Sequence, residues 1–272
     1  MLRLRCIVEN GAALPALRAE HGLAVLVEAD GGTLLWDTGG SGETLLHNLE
    51  VLGLRRAPID AVALSHAHLD HTGGLAALLN ERPNVPIYAH TEIGRPRFSV
   101  REGLYATGLA LHIDALAAHA ALHLSAEPRE ILPGVSTTGT IAPRPHPVGG
   151  SPHHETLEGG RLVPDPYADD ISLVLGAGEG IVLLCGCCHA GLRNTLATVR
   201  RTRREPLRAV VGGTHLHDAR TEELDAIVEA LTREGSPALY LNHCTGARAI
   251  AHLAGAYDGR VEPFPAGAAV AF

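Results

Sequence analysis

The chain of 272 residues contains no lysine, and all 22 of its basic residues are arginine. Aromatic residues are scarce as well, at 3%, with one Trp and three Phe. A core must therefore come from Leu, Val, Ile and Ala, and a hydrophobic content of 46% suffices for a sizeable one. No apolar run reaches the roughly 20 residues of a membrane helix. Residues 1–10 alternate like a strand and lack the apolar stretch of a signal peptide. Cysteines number only five, and Cys185, Cys187 and Cys188 crowd together as no disulfide framework would place them. Thiols in a reducing compartment follow, and a cytoplasmic protein is expected. The formal net charge of -8 argues against a nucleic-acid surface. Arg200, Arg201, Arg203 and Arg204 lie at the end of an expected helix, where cations complement the dipole, and read as a solvated face.

Histidine is abundant, with 17 residues. Three of them fall in His66-Ala67-His68-Leu69-Asp70-His71. The apolar run 59–64 before this cluster reads as a buried strand, and the Leu/Ala run after Gly73-Gly74 reads as a helix. The cluster thus belongs on a loop at the carboxyl end of a strand, where open α/β sheets place ligand sites. Neutral imidazole and carboxylate suit zinc, iron, manganese or nickel.

Strands are expected at 23–29 and 33–36 around an Asp30-Gly31-Gly32 turn, and a helix at 42–52. A strand at 85–89 follows the helix after the cluster. The last third alternates strands at 171–175, 181–185, 207–211 and 238–241 with helices at 192–203, 222–234 and 247–254. Residues 92–166 behave differently: 104–124 are rich in Ala, Leu and His without a single periodicity, and 142–170 are rich in Pro, Gly and His. They are expected to form a helical and loop insertion, a lid over the site. The two βαβ-like halves imply one domain over residues 1–272, an α/β (α+β) fold with four αββα layers.

Three more strand ends carry polar loops: Gly186-Cys187-Cys188-His189-Ala190-Gly191, Gly213-Thr214-His215-Leu216 and Asn242-His243-Cys244-Thr245-Gly246. With the His66–His71 cluster and the Asp37-Thr38-Gly39 turn, they resemble the metallo-β-lactamase superfamily. Within it they resemble the branch of dihydropterin-ribofuranosylaminobenzene-phosphate synthase-like hydrolases. Cys188 stands where that branch has Ser, Thr214 where it has Phe, and residues 139–144 depart from its Gly-Glu-Ile-Pro-Arg segment.

The resemblance implies two divalent metal ions, zinc first, with iron, manganese or nickel as alternatives. His66, His68 and His189 would hold one ion, and Asp70, His71 and His243 the other. Asp37 would orient a ligand from behind. No Asp occupies the superfamily's bridging position; there Cys187 can bridge as a thiolate or His189 can compensate, and Asp169 or Asp170 lies near the place of a missing middle His, as a ligand or as a cap of the following strand. Asp70 and His215 are the catalytic candidates, His215 for proton transfer or substrate contact. Cys188 and Cys244 are expected to pack. A Cys-x-Cys-Cys run with one distant Cys lacks iron–sulfur spacing.

A metal-dependent hydrolase of an ester, phosphoester or related bond is the first expectation. A transferase of the synthase type and a non-catalytic metal-holding sensor are the alternatives, since fold alone does not choose among chemistries. The expected partner is a small molecule, anionic ones included, with no nucleic acid and no membrane. Arg95, Arg97, Arg101 and Arg144 are expected as rim charges rather than anion ligands.

Overall fold

Strand residues of this chain alternate between two apolar faces, and that alternation builds the layers. In Gly32–Trp36, Leu34 and Trp36 enter one buried cluster and Leu35 another. In Gly180–Cys185, Val182 and Leu184 join the first cluster, while Ile181, Leu183 and Cys185 face a third. The period of two is that of a pleated strand covered on both sides. The computed structural model describes residues 1–272.

There are two seven-stranded sheets. The first runs, edge to edge, Ala269–Ala271, Arg3–Val8, Ala24–Ala29, Gly32–Trp36, Ala61–Ala63, Ile87–Ala89 and Leu122–Leu124. The second runs Val261–Pro263, Ala238–Leu241, Leu207–Gly212, Gly180–Cys185, Ser172–Ala177, Val135–Thr137 and Glu130–Leu132. Side chains of both sheets meet in the central cluster, including Leu4, Val25 and Trp36 against Leu173, Leu184 and Val211. The first sheet's outer face is covered by helices Gly42–Val51 and Leu75–Glu81 through Leu45, Leu49 and Leu78. Helices Leu192–Thr202, Thr221–Arg233 and Ala247–Ala256 cover the second through Leu196, Leu224 and Leu253. Three apolar seams between four layers make the expected αββα sandwich. No helix is long and apolar enough to cross a membrane.

Residues 92–166 do not form one insertion, contrary to the expectation above. Helix Ile113–His119 buries Leu116 in the first helical layer, and Leu122–Leu124 is an edge strand of the first sheet. Glu130–Leu132 and Val135–Thr137 form the edge of the second. Only Arg97–Ser99, Tyr105–Ala106, His154–Glu158 and Arg161–Pro164 stand apart, as a four-stranded cap sheet. The Pro-rich connection thus contains a hairpin, Leu157 pairing with Leu162. Strands of two or three residues carry too little alternation to be read from sequence.

Parallel pairing puts the carboxyl ends of Gly32–Trp36 and Ala61–Ala63 at one end of the first sheet. It does the same for Gly180–Cys185, Leu207–Gly212 and Ala238–Leu241 in the second. The polar loops leave from those ends and converge. Gly186 permits the approach, because a Cβ there would collide with the Ser65 side chain.

Candidate metal centre

Asp37 organises the centre from behind. It follows Gly32–Trp36, is fully buried and adopts left-handed backbone geometry (φ 57°). Its Oδ1 accepts the Ser65 amide at 2.7 Å, and its Oδ2 accepts the Ser65 hydroxyl at 2.8 Å and His71 Nδ1 at 2.7 Å. Ser65 Oγ donates to Asp37, so it accepts from His66 Nδ1 at 2.8 Å. His66 therefore carries its proton on Nδ1 and presents a bare Nε2. His71 likewise donates Nδ1 to Asp37; burial works against its charged form, but the Asp37 and Asp70 carboxylates raise its pKa to about 9, so a cation at Nε2 must replace a proton there.

The same accounting fixes two more imidazoles. His189 Nδ1 donates to the Gly149 carbonyl at 2.6 Å, and His243 Nδ1 donates to Asn10 Oδ1 at 3.0 Å. Their Nε2 atoms are bare. Glu9 secures His243 further by accepting its amide at 2.8 Å.

These nitrogens converge. His66 Nε2 lies 2.9 Å from His68 Nδ1, and His189 Nε2 lies 3.3 Å from the same atom. His68 Nε2 is buried without a partner. In the second set His71 Nε2 is 3.3 Å from His243 Nε2, and Asp70 Oδ2 lies 3.3 Å from His243 and 3.7 Å from His71. A proton on His68 Nδ1 or on His71 Nε2 can serve only one of the acceptors crowded around it, whereas a cation among them serves all. The donor sets thus fit the metal ions that the sequence implied.

Cys187 joins the two sets. Its Sγ is 3.2 Å from His71 Nε2 and converges with His66 and His71 on one side and with His243 and Cys244 on the other. Burial raises its thiol pKa well above the ordinary value, so a cation is needed to draw out the thiolate. Cys188 packs as expected, against Thr195. Cys244 does more than pack: its Sγ accepts the His215 amide at 3.3 Å and lines the cavity.

Neither Asp169 nor Asp170 reaches a donor set. Asp169 accepts the Ala67 amide at 2.8 Å, and Asp170 accepts the Ala190 amide at 2.8 Å. Both tie down metal-site loops from beneath. Burial pushes Asp169 up to about 6 and Asp170 up to about 7.

The centre opens on a cavity of about 860 Å³. His215 lines it, with its ring 4.5 Å from that of His189, and burial lowers its pKa to about 4. Of the four arginines expected at the rim, only Arg101 lines the cavity. Arg97 is fully buried in ion pairs with Asp165 and Asp169, Arg144 donates to three backbone carbonyls, and Arg95 pairs with Glu92 and Glu158. The carboxylate partners of Arg97 lie far off in sequence, so its burial was not legible from composition.

Sequence reasoning also missed His21 and His154, which share no motif with the ligand loops. His21 Nε2 lies 3.3 Å from Asp70 Oδ2, and His154 lines the cavity wall. Burial works against the Asp70 carboxylate, but His71, His21 and His243 around it hold its pKa well below the ordinary range. Five of the seven non-glycine residues with left-handed backbone (Asp37, Tyr167, Cys188, His215 and His243) belong to this region, so strain concentrates at the site.

Burial drives His66, His68 and His189 well below their ordinary pKa, and His215 and His243 to about 4. Groups with depressed folded pKa values stabilise the fold above about 6.5, and that stability is lost as pH falls toward 4. His71, where burial is outweighed by Asp37 and Asp70 and the pKa rises to about 9, His21, raised by Asp70, and the buried Asp169 and Asp170 act oppositely as pH falls, but the five depressed imidazoles outnumber them. Metal-free protein should therefore show a falling urea midpoint from pH 7.5 to pH 5. A flat or rising midpoint would contradict the neutral-imidazole assignment.

The family model of the metallo-beta-lactamase superfamily matches residues 17–227. The 7,8-dihydropterin-6-methyl-4-(beta-D-ribofuranosyl)-aminobenzene-5'-phosphate synthase of Methanocaldococcus jannaschii is 30% identical over 246 residues, covering 85% of this chain and 83% of that protein. The crystal structure of Tm1679, a metal-dependent hydrolase of the beta-lactamase superfamily, superposes with a TM-score of 0.87 at 25% identity, over 100% of this chain and 99% of that one. The metallo-beta-lactamase fold protein YhfI of Bacillus subtilis shares the fold at a TM-score of 0.59 and 13% identity, over 99% of each chain. The sandwich, the strand-end loops and these matches agree: the chain belongs to the metallo-β-lactamase superfamily.

Proposed function

We propose that this chain is a dinuclear-metal hydrolase that cleaves an ester, phosphoester or related bond in a small molecule. The observation that carries the reading is the convergence of imidazole nitrogens and a carboxylate into two adjoining sets, His66–His68–His189 and Asp70–His71–His243, beneath one open cavity. A divalent metal pair, when bound, acidifies water and polarises an oxygen of the scissile bond. The protein's own share is positional. Asp37, Gly149, Glu9 and Asn10 lock the ligand rings, so little reorganisation accompanies reaction. Asp70 holds negative charge at the cavity floor, between His71 and His243. His215 is neutral at pH 7 and faces the cavity, where it can accept or relay a proton. Imidazoles with a neighbouring thiol favour zinc, and the five free cysteines support a reducing compartment such as the cytoplasm.

The cavity wall supports a polar substrate, anionic ones included, since imidazoles and Arg101 dominate it and only four of its 19 lining residues are hydrophobic. The second reading is a transferase, favoured by the synthase relative. Zinc-loaded protein should hydrolyse at least one member of a panel of aryl esters, phosphomonoesters and phosphodiesters, with turnover lost on chelation and regained with metal. Turnover only when two substrates are supplied, with release of pyrophosphate, would replace hydrolysis with the transferase reading. Full metal occupancy with no turnover of either kind would leave the sensor.

A further inference from the structure

The cap sheet delivers a residue to the cavity that the ligand loops do not account for. His154 opens the cap strand His154–Glu158 and lines the cavity, with its ring 4.9 Å from that of His68. It belongs to neither converging ligand set. Its Nδ1 lies 3.0 Å from the Tyr167 hydroxyl. That hydroxyl also accepts the Ser151 amide at 2.9 Å. Tyr167 is only 4% exposed, so its own proton needs a partner, and His154 Nδ1 is the acceptor present. His154 must then carry its proton on Nε2, an atom with no protein partner. Tyr167 is itself held firmly. Its amide donates to Asp165 Oδ1 at 2.8 Å, and its ring stacks on His189 at 4.2 Å and 10°.

We propose that His154 is a substrate-contacting residue whose Nε2–H, fixed in that tautomer by Tyr167, donates a hydrogen bond to a substrate oxygen bound over the His66–His68–His189 set. Tyr167 is then a positioning residue that couples a metal-site imidazole to the donor above it. No proton is transferred. The neutral donor is pre-aimed, which is how a fixed dipole stabilises charge developing on oxygen. The inference rests on the hydrolase reading for its cavity and substrate, but not for the tautomer.

The test uses zinc-loaded protein with ¹⁵N-labelled histidine. Ring NMR should show His154 protonated on Nε2 and bare on Nδ1, and Tyr167→Phe should mix the two tautomers. Inorganic phosphate, as the oxyanion probe, should shift His154 Nε2 in the wild type. With bis(p-nitrophenyl) phosphate, His154→Ala should lower kcat about 100-fold at unchanged metal content, and His154→Gln, which keeps a donor, should recover part of it. A proton on Nδ1 in the wild type, or no phosphate shift at Nε2, would overturn the proposal. Loss of metal in His154→Ala would make it a ligand instead. Should the wild type hydrolyse nothing, the hydrolase reading fails while the tautomer and phosphate readings still decide this one.

Discussion

A His189→Ala protein should bind one metal fewer per chain than the wild type and lose hydrolysis by roughly 10³-fold, at the upper end for removal of one charge-stabilising group. The substitution takes away one of three nitrogens that converge within 4.8 Å of one another, and two imidazoles do not close a metal site. It also strips the Gly149 carbonyl of its donor and Tyr167 of its stacking partner, so the cap loosens over the centre. His243→Ala should empty the other position in the same way, leaving Asp70 and His71 facing each other. Elemental mass spectrometry on the purified proteins measures both effects. Near two metals in the wild type and near one in each variant is the expected pattern. Two metals retained in either variant would remove that histidine from the ligand set. Loss of both metals from one variant would show that the positions are coupled, with the Cys187 thiol between them as the link.

How much of this was visible in sequence depended on how far apart the cooperating residues lie. The His66–His71 loop was legible because four donors sit within six residues behind an apolar strand. His189, His215 and His243 were legible because each follows an apolar run and sits among glycines or cysteines. The sandwich followed from the alternation of those strands and helices. The pairing of Arg97 with Asp165 and Asp169 was not legible, because those residues lie 68 and 72 positions away. His154 was hidden in a Pro-, Gly- and His-rich stretch where no period marks a strand. Glu9 and Asn10 read only as the end of a first alternating strand, although their side chains hold His243. Edge strands such as Glu130–Leu132, Val261–Pro263 and Ala269–Ala271 are too short to announce themselves.

The buried Arg97 cluster should be the most costly place to remove a single charge. Arg97 is 1% exposed; its Nε lies 2.9 Å from Asp165 Oδ2, and it pairs with Asp169 as well. Asp169 in turn accepts the Ala67 amide, between His66 and His68, and Asp165 accepts the Tyr167 amide. Arg97→Met would leave two carboxylates buried without a counter-charge, at a cost of about 3–5 kcal/mol. For a chain of this size, that corresponds to a fall in Tm on the order of 10 °C. Metal affinity should fall with it, because the loop carrying two ligands loses its anchor. Adding Asp165→Asn and Asp169→Asn to Arg97→Met should restore most of the stability, since a neutral set of similar shape no longer buries unpaired charge. The carboxamide oxygen introduced by Asp169→Asn can still accept the Ala67 amide. The pH dependence gives a further check. Asp169 already titrates near about 6 with Arg97 holding it down, and without the guanidinium it must titrate higher. A carboxyl whose folded pKa is raised favours the fold at low pH and loses that contribution as pH rises through the folded value. The Arg97→Met penalty should therefore be smaller at pH 5.5 than at pH 8, as read by urea unfolding at both. An equal penalty at the two pH values would show that lost packing, not unpaired carboxylate charge, sets the cost.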